Sequence, residues 1–208
     1  MDYNTENIKA YESLAEEYEK NISKYFLSTK EAVENIAPSI TTGKEVLDVG
    51  CGVGLGTMML IEKGFSLTSI DISPKMITFV KKRNPSATTI TGEFLEYTFK
   101  KKFDAIFAMA FIHLFPKNIA QLILEKMHTL LKEDGVLYIG TTISDKSKEG
   151  FELKRDAFFP NGQQKRYRKH WTEEELLDSL QKAGFKYKHK YHIDDPRKKV
   201  WMDFLMTK

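Results

Sequence analysis

Apolar positions along the chain change period several times, and each change marks an element. Ile8, Tyr11, Ala15, Tyr18, Ile22 and Tyr25 recur every three or four residues among Glu and Lys, which predicts an amphipathic helix over 6–25. A second helix is expected over 28–37, stopped by Pro38. The period then shortens. Val46, Leu47 and Val49, interrupted by Asp48, read as a buried strand running into Gly50, Gly52, Gly54 and Gly56. A helix over 55–63 closes at Gly64, an alternating strand follows over 65–72, and Ser73 with Pro74 opens a helix to Arg83 whose inner side is Met76, Ile77 and Val80. Strands are expected at 88–91, at 103–109 (apolar except for Asp104) and at 136–142. Between the last two, Ile119, Leu122, Ile123, Met127, Leu130 and Leu131 keep helical spacing up to Asp134 and Gly135.

Five strand–helix alternations predict an α/β fold: a doubly wound, mostly parallel sheet with helices on both faces. Periodicity fails from Ser144 to His170, where an irregular insertion, read as a lid over 144–171, is expected. Thr172 and Glu175 form a capping box for a helix with Leu176, Leu177, Leu180 and Ala183 inward, and Gly184 closes it. Two last strands, 185–193 and 199–206, meet across Asp194 to Arg197 and add an antiparallel hairpin, giving seven strands. A chain of 208 residues then makes one domain, with 1–40 as a helical cap.

Composition removes several classes. No apolar run approaches the ~18 residues of a spanning helix, so no membrane association is expected. The polar, acidic start MDYNTENIKAYES lacks the features of a signal peptide, which makes a cytoplasmic location the default. Cys51 is the only cysteine, so internal disulfides and cysteine metal clusters are excluded, and between two loop glycines it reads as a space-filler. Net charge is +3, but residues 1–145 carry −3 and residues 146–208 carry +6. That basic third suits an anionic substrate, RNA or plain solvation.

The glycine stretch carries the chemistry. Glycine admits positive φ and lets a ligand approach the main chain closely. A dinucleotide fingerprint would need glycine at position 55, where Leu55 stands; starting from Gly52, the position holds Thr57. Asp48 also opposes a pyrophosphate and favours a cationic ligand, while the following helix N-terminus favours an anionic group. Asp71, 21 residues after Gly50 and at the end of the second strand, is placed to accept from ribose hydroxyls. Ligands in such sheets bind at the carboxyl ends of strands, which gathers Asp48, Asp71, Glu93 and His113 around one crevice.

Asp48 with GxGxG at Gly50, Gly52 and Gly54 resembles motif I of the class I S-adenosylmethionine-dependent methyltransferases. YESLAEEY is similar to the N-terminal YDxxAxxY-type helix of small-molecule, type 11/12-like members, and FDAIFAMAFIHLF to their fourth-strand motif FDxVxxxxxLHHL. The chain lacks the NPPY and ProCys motifs of nucleobase enzymes. The resemblance extends from Tyr11 to the final hairpin and implies a Rossmann-like fold with S-adenosyl-L-methionine as methyl donor, S-adenosyl-L-homocysteine as product and no metal. It further implies cofactor contacts at Tyr11, Asp48, Gly50, Gly52, Gly54, Asp71, Ile72, Met76, Glu93, Phe94 and Ala108. Glu93, one methylene longer than the usual Asp, would meet the adenine amino group. His113 or Tyr18 would act as base, with His170 as a second candidate for it; a lone His near aromatics can equally be a packed residue. On the insertion, Arg155, Arg166, Arg168, His170 and Trp171 are expected either to clamp a small anionic or aromatic acceptor or, equally, to form a protein-facing surface. Rival readings are an RNA methyltransferase, a non-catalytic S-adenosylmethionine-binding protein and a nicotinamide dehydrogenase. Neither nucleic acid nor an obligate protein partner is expected.

Overall fold

A computed structural model describes residues 2–153, 164–194 and 200–208. Helix α1 (Tyr3–Lys20) begins at Asp2, whose carboxylate accepts from the N–H groups of Asn4 and Thr5. The expected single helix over 6–25 stops at Asn21, whose side chain donates to the Glu17 carbonyl, and a 3₁₀ turn (Ile22–Tyr25) leads into α2 (Phe26–Ile36). Then come β1 (Glu45–Val49), α3 (Leu55–Glu62), β2 (Ser66–Asp71), α4 (Pro74–Arg83), β3 (Thr88–Thr91), β4 (Phe103–Met109), α5 (Lys117–Leu130) and β5 (Leu131–Thr142). The remaining elements are β6 (Lys148–Leu153), β7 (Lys165–His170), α6 (Glu173–Lys182), β8 (Lys186–Asp194) and β9 (Val200–Thr207).

The main sheet has seven strands in the order β3-β2-β1-β4-β5-β9-β8. The first five are parallel, and β9 and β8 close the sheet antiparallel. Strand order reverses between β1 and β4, so their connections leave in opposite directions and open a crevice at the carboxyl ends. Alternation along each strand divides the core. Leu47, Ile106, Leu137 and Phe204 pack with α5 and α6, whereas Val46, Phe107, Tyr138 and Leu205 pack with α2 and α3. Each such fully buried side chain contributes about 1.5–3 kcal/mol.

Three departures from expectation have local causes. β5 begins at Leu131, because that residue leaves α5 in an extended conformation and pairs with Phe103; Asp134, at φ 61°, then turns the strand onward. Asp104, inside the apolar run of β4, is an anchor: it accepts from Thr42 Oγ1 at 3.0 Å, Glu45 N at 2.9 Å and Lys132 Nζ at 2.9 Å. The segment read as irregular contains a hairpin. β6 and β7 pair antiparallel from Lys148↔His170 to Leu153↔Lys165, and Asn7 ties the hairpin to α1 by accepting from Tyr167 N at 2.8 Å. Arg166, Tyr167, Arg168 and Lys169 are all buried there. Arg155, Phe158 and Phe159 of the expected lid lie outside the described residues.

Candidate cofactor and acceptor site

A cavity of about 280 Å³ occupies the crevice, under α1 and beside the β6–β7 hairpin. The glycine loop at its floor serves two purposes. Gly50 and Gly52 both adopt left-handed φ, 67° and 53°. A Cβ on Gly50 would strike the Phe111 ring at 2.6 Å, whereas one on Gly52 would meet nothing within 4 Å and would project into the cavity. Gly54 lies outside the lining: its missing side chain admits Val80 and Asn84 of the α4 end, and Asn84 donates to its carbonyl at 2.9 Å. Gly56 lets α3 approach the Phe107 ring. One of the four alternating glycines therefore presents bare backbone to open space, and three serve packing.

Carboxylates surround this floor. Asp48 lines the cavity, accepts from Thr57 Oγ1 at 2.6 Å, and is pushed up to about 7 by burial, with the Thr57 hydrogen bond opposing and Asp71 adding to the rise. A cation placed beside it would draw it to the charged form. Asp71 accepts from Gly52 N and Ser73 N, each at 2.9 Å, so it shapes the loop while lining the cavity; burial raises it, and these backbone bonds restrain the rise. A carboxylate has about four acceptor directions, so two remain. Glu93 lines the cavity as well, half-buried and raised by burial, with Oε2 accepting from Glu96 N at 2.9 Å.

The walls are apolar and aromatic. Ile72, Met76 and Phe94 contribute, as do Met109, Phe111 and Phe115. Ala108 lies outside the lining, because alternation along β4 turns it to the α5 side; its neighbours Phe107 and Met109, with Ala110, reach the cavity instead. Ala110 itself holds φ 56°, a rare conformation for a side-chain-bearing residue, and sends the chain into the 3₁₀ turn Ile112–Leu114. That turn places buried His113 on the cavity, with Nδ1 2.8 Å from Thr141 Oγ1. Tyr11, Tyr18 and Tyr25 form a stack along the roof with ring centroids 6.0 and 5.8 Å apart. Helix α1 is pinned over them by Glu12, which accepts from Ser73 Oγ and Lys75 N, and by Glu19, which accepts from Arg83 at 2.6 Å.

The hairpin supplies the positive wall. Arg166 and Arg168 are nine-tenths buried and line the cavity. Arg166 donates to Tyr11 Oη at 3.1 Å and Glu152 Oε1 at 3.2 Å, and its Nε has no hydrogen-bond partner. Arg168 donates to Thr142 Oγ1 and stands 3.7 Å from the same Glu152 oxygen. His170 takes the other Glu152 oxygen at 3.0 Å and does not line the cavity. Trp171 has no exposed surface and packs in the core, so it cannot meet an acceptor. The capping box is half formed: Thr172 Oγ1 accepts from Glu175 N, while the Glu175 carboxylate turns to Lys117 and Lys169. Glu152, Thr142 and Trp201 were not anticipated at the site. Only Glu152 left a signal, in the alternation Phe151-Glu152-Leu153 facing Arg166-Tyr167-Arg168. Among the described residues no group of side chains could hold a metal ion, and no helix is long and apolar enough to cross a membrane.

A doubly wound sheet with a bare glycine loop and acidic ends on β1 and β2 at its switch point defines a nucleoside-binding α/β domain. Residues 46–135 match the family model described as a methyltransferase domain. This match, together with the relatives and solved structures it resembles, supports a class I S-adenosylmethionine-dependent methyltransferase. Its relatives include the glycine/sarcosine N-methyltransferase of Parasynechococcus marenigrum, 31% identical over 122 residues, covering 55% of this chain and 43% of the relative. An uncharacterized methyltransferase of Synechocystis sp. is 31% identical over 105 residues, covering 50% of this chain and 49% of its own length. The chain thus spans less than half of these relatives. Among solved structures, Burkholderia thailandensis 1,6-didemethyltoxoflavin-N1-methyltransferase, with 1,6-didemethyltoxoflavin and S-adenosylhomocysteine bound, superposes with a TM-score of 0.75. It is 19% identical, and the match covers 99% of this chain and 86% of that one. A Clostridium acetobutylicum S-adenosylmethionine-dependent methyltransferase gives 0.72 at 15% identity, with 95% and 98% covered.

Proposed function

We propose that this chain transfers a methyl group from S-adenosylmethionine to a small molecule whose anionic group is held by Arg166 and Arg168. The observation that carries the acceptor class is the charge balance of the cavity wall, where, among the described residues, two buried guanidiniums share one carboxylate, the partly exposed Glu152. A buried positive excess beside a cavity favours an anion. The residues suit the donor too. Asp71 is available to ribose hydroxyls, Glu93 and Phe94 to the adenine end, Asp48 to positive charge, and the open face of Gly52 to close approach.

S-adenosylmethionine supplies a methyl group on a sulfonium, open to direct displacement by a nucleophile. The protein's part is orientation: held about 3–3.5 Å from the methyl and in line, an acceptor gains much of the acceleration from position alone. Tyr11, Tyr18 and the apolar walls exclude water from that encounter. His113 is positioned to take a proton if the nucleophile arrives with one. Glycine, sarcosine and 1,6-didemethyltoxoflavin, printed in the names of a relative and of a structural neighbour, support a small-molecule acceptor. The RNA reading loses support because Arg166, Arg168 and Lys169, three cations of the basic third, are buried and do not face a polyanion at the surface.

Calorimetric titration with S-adenosylhomocysteine, with NAD as control, tests the reading first. Micromolar binding of the former alone is expected, followed by turnover in a screen of small carboxylates. Preference for NAD would overturn it.

A further inference from the structure

Asp203 lies on β9 in the interior of the sheet, with no exposed surface. Its Oδ2 accepts from the Tyr138 hydroxyl at 2.8 Å, and Tyr138 in turn accepts from Asn35 Nδ2 at 3.2 Å. Its Oδ1 has no hydrogen-bond partner among the described residues. Leaving a buried carboxylate oxygen unmatched is costly, so its setting calls for an explanation.

Register supplies the setting. Met109 of β4, Gly140 of β5 and Asp203 of β9 stand in one row across three strands. A Cβ on Gly140 would collide with Asp203 Oδ1 and lie 2.5 Å from Met109 Sδ, so the two atoms meet over the bare glycine. Met109 lines the cavity, as do Thr142 and Trp201, which pair with each other two residues along on the same face. The orphaned oxygen is therefore covered from the cavity side by an unbranched thioether, a side chain that rearranges easily. Among the described residues, the titratable groups facing Asp203 are Tyr138 from β5, Tyr191 from β8 and Glu31 from α2, and none of these three carries positive charge. Thr142, two residues beyond Gly140 on β5, accepts from Arg168, which sets the anion-binding wall about 7 Å along the strand from this row.

We propose that Asp203 is the acidic pole of the acceptor chamber: with Met109 moved off Gly140, Oδ1 receives a protonated amine of the acceptor and takes its proton. The inference rests on the methyl-transfer reading above and narrows the acceptor to a small zwitterion. The step balances. The ammonium gives one proton to the carboxylate, and the freed nitrogen lone pair forms the N–C bond. The C–S bond breaks with its electron pair going to sulfur, so the sulfonium becomes a neutral thioether and the product is an N-methylammonium. The carboxylic acid then returns its proton to solvent. Burial pushes Asp203 up to about 7, with Tyr138 opposing and Glu31 adding, so both protonation states are accessible near neutrality.

The test uses the full chain labelled with ¹³C, loaded with S-adenosylhomocysteine and titrated with methylammonium chloride against sodium chloride at equal ionic strength. The Asp203 carboxyl carbon is followed with pH. A saturable shift is expected, with the Asp203 midpoint lowered by at least about half a pH unit, roughly a threefold change in proton affinity. No methylammonium-specific change at Asp203 overturns the proposal. If the amine perturbs Asp203 while S-adenosylhomocysteine fails to bind, the subsite stands and the methyl-transfer reading falls; the reverse result removes the subsite alone. Asp203→Asn should abolish the methylammonium response of the Met109 methyl signal, and persistence of that response refutes the assignment. Should that variant not fold, Met109→Ala uncovers Oδ1 and should tighten methylammonium binding several-fold; unchanged binding is again a refutation.

Discussion

Gly52→Ala separates the cost of a backbone conformation from the cost of blocking a ligand. Gly52 holds φ 53°, where a side-chain-bearing residue pays about 1–2 kcal/mol. Alanine recovers roughly 0.4–1 kcal/mol by restricting the unfolded chain. Nothing lies within 4 Å of the added methyl, so no packing term enters and the net loss of stability is about 1 kcal/mol. For a chain of this size that lowers Tm by about 2–4 °C. The same methyl points into the cavity, where overpacking against a bound ligand costs about 1–3 kcal/mol, a loss of roughly 5- to 150-fold in affinity. Gly50→Ala shares the backbone penalty but adds a 2.6 Å collision with Phe111, so it should lose far more stability. Thermal melts of both variants and calorimetry of Gly52→Ala with S-adenosylhomocysteine make the comparison. A folded Gly52→Ala protein binding within twofold of wild type would refute the view that this open face receives the cofactor.

Asp71→Ala should weaken S-adenosylhomocysteine binding by about 1.5–3 kcal/mol through lost charged hydrogen bonds, and unchanged calorimetric affinity would deny the ribose role. Glu152→Gln removes the carboxylate shared by Arg166, Arg168 and His170. It should cost about 2 kcal/mol, below the usual range for a broken buried pair because Glu152 is itself partly exposed, and acetate should raise the variant's Tm more than the wild type's. Burial pushes Glu175 up, but hydrogen bonds from Lys117, Lys169 and Ser147 outweigh it and hold the carboxyl at about 2. Its folded pKa lies below the unfolded one, so its stabilisation is complete above about pH 4.3 and lost as pH falls through about 2. Urea denaturation should show Glu175→Gln about 2 kcal/mol weaker at pH 7, with the difference shrinking to under about 0.5 kcal/mol at pH 2.

The parts of this molecule that could be read from its sequence are those where one residue type answers one local requirement. Short apolar runs placed β1 and β4 and alternation placed β2; the order Ser73-Pro74 placed the start of α4. The floor of the cavity was legible for the same reason, since a positive φ beside open space at Gly52 admits little else. Spacing alone overstated the case, however. Gly54 and Gly56 have the same rhythm but answer to Val80, Asn84 and Phe107, neighbours that only the folded chain supplies. Ala108 was misplaced by one residue for a related reason: alternation fixes which face a position takes only once the strand's register against its neighbours is known.

The acceptor side was opaque because its polar residues are buried by pairing across distant segments. The sequence predicts KRYRKH as part of an irregular lid, yet it is a buried strand in which Arg166 is matched by Glu152 fourteen positions earlier and by Tyr11 of the first helix. Lys169 is matched by Ser147 and Glu175. No hydrophobic period announces such a strand, because charge neutralisation rather than apolarity makes its burial possible. Asp203 carries the same logic one step further. It sits in an apolar run that predicts a strand correctly, with one oxygen matched by Tyr138 and the other matched by nothing among the described residues. A cofactor bound through backbone leaves its mark in glycines at fixed spacing, whereas an acceptor bound as proposed, through side chains from β5, β7 and β9, leaves none until topology brings those strands together. Local sequence therefore speaks for the donor in this fold, and the arrangement of buried charge speaks for what receives the methyl.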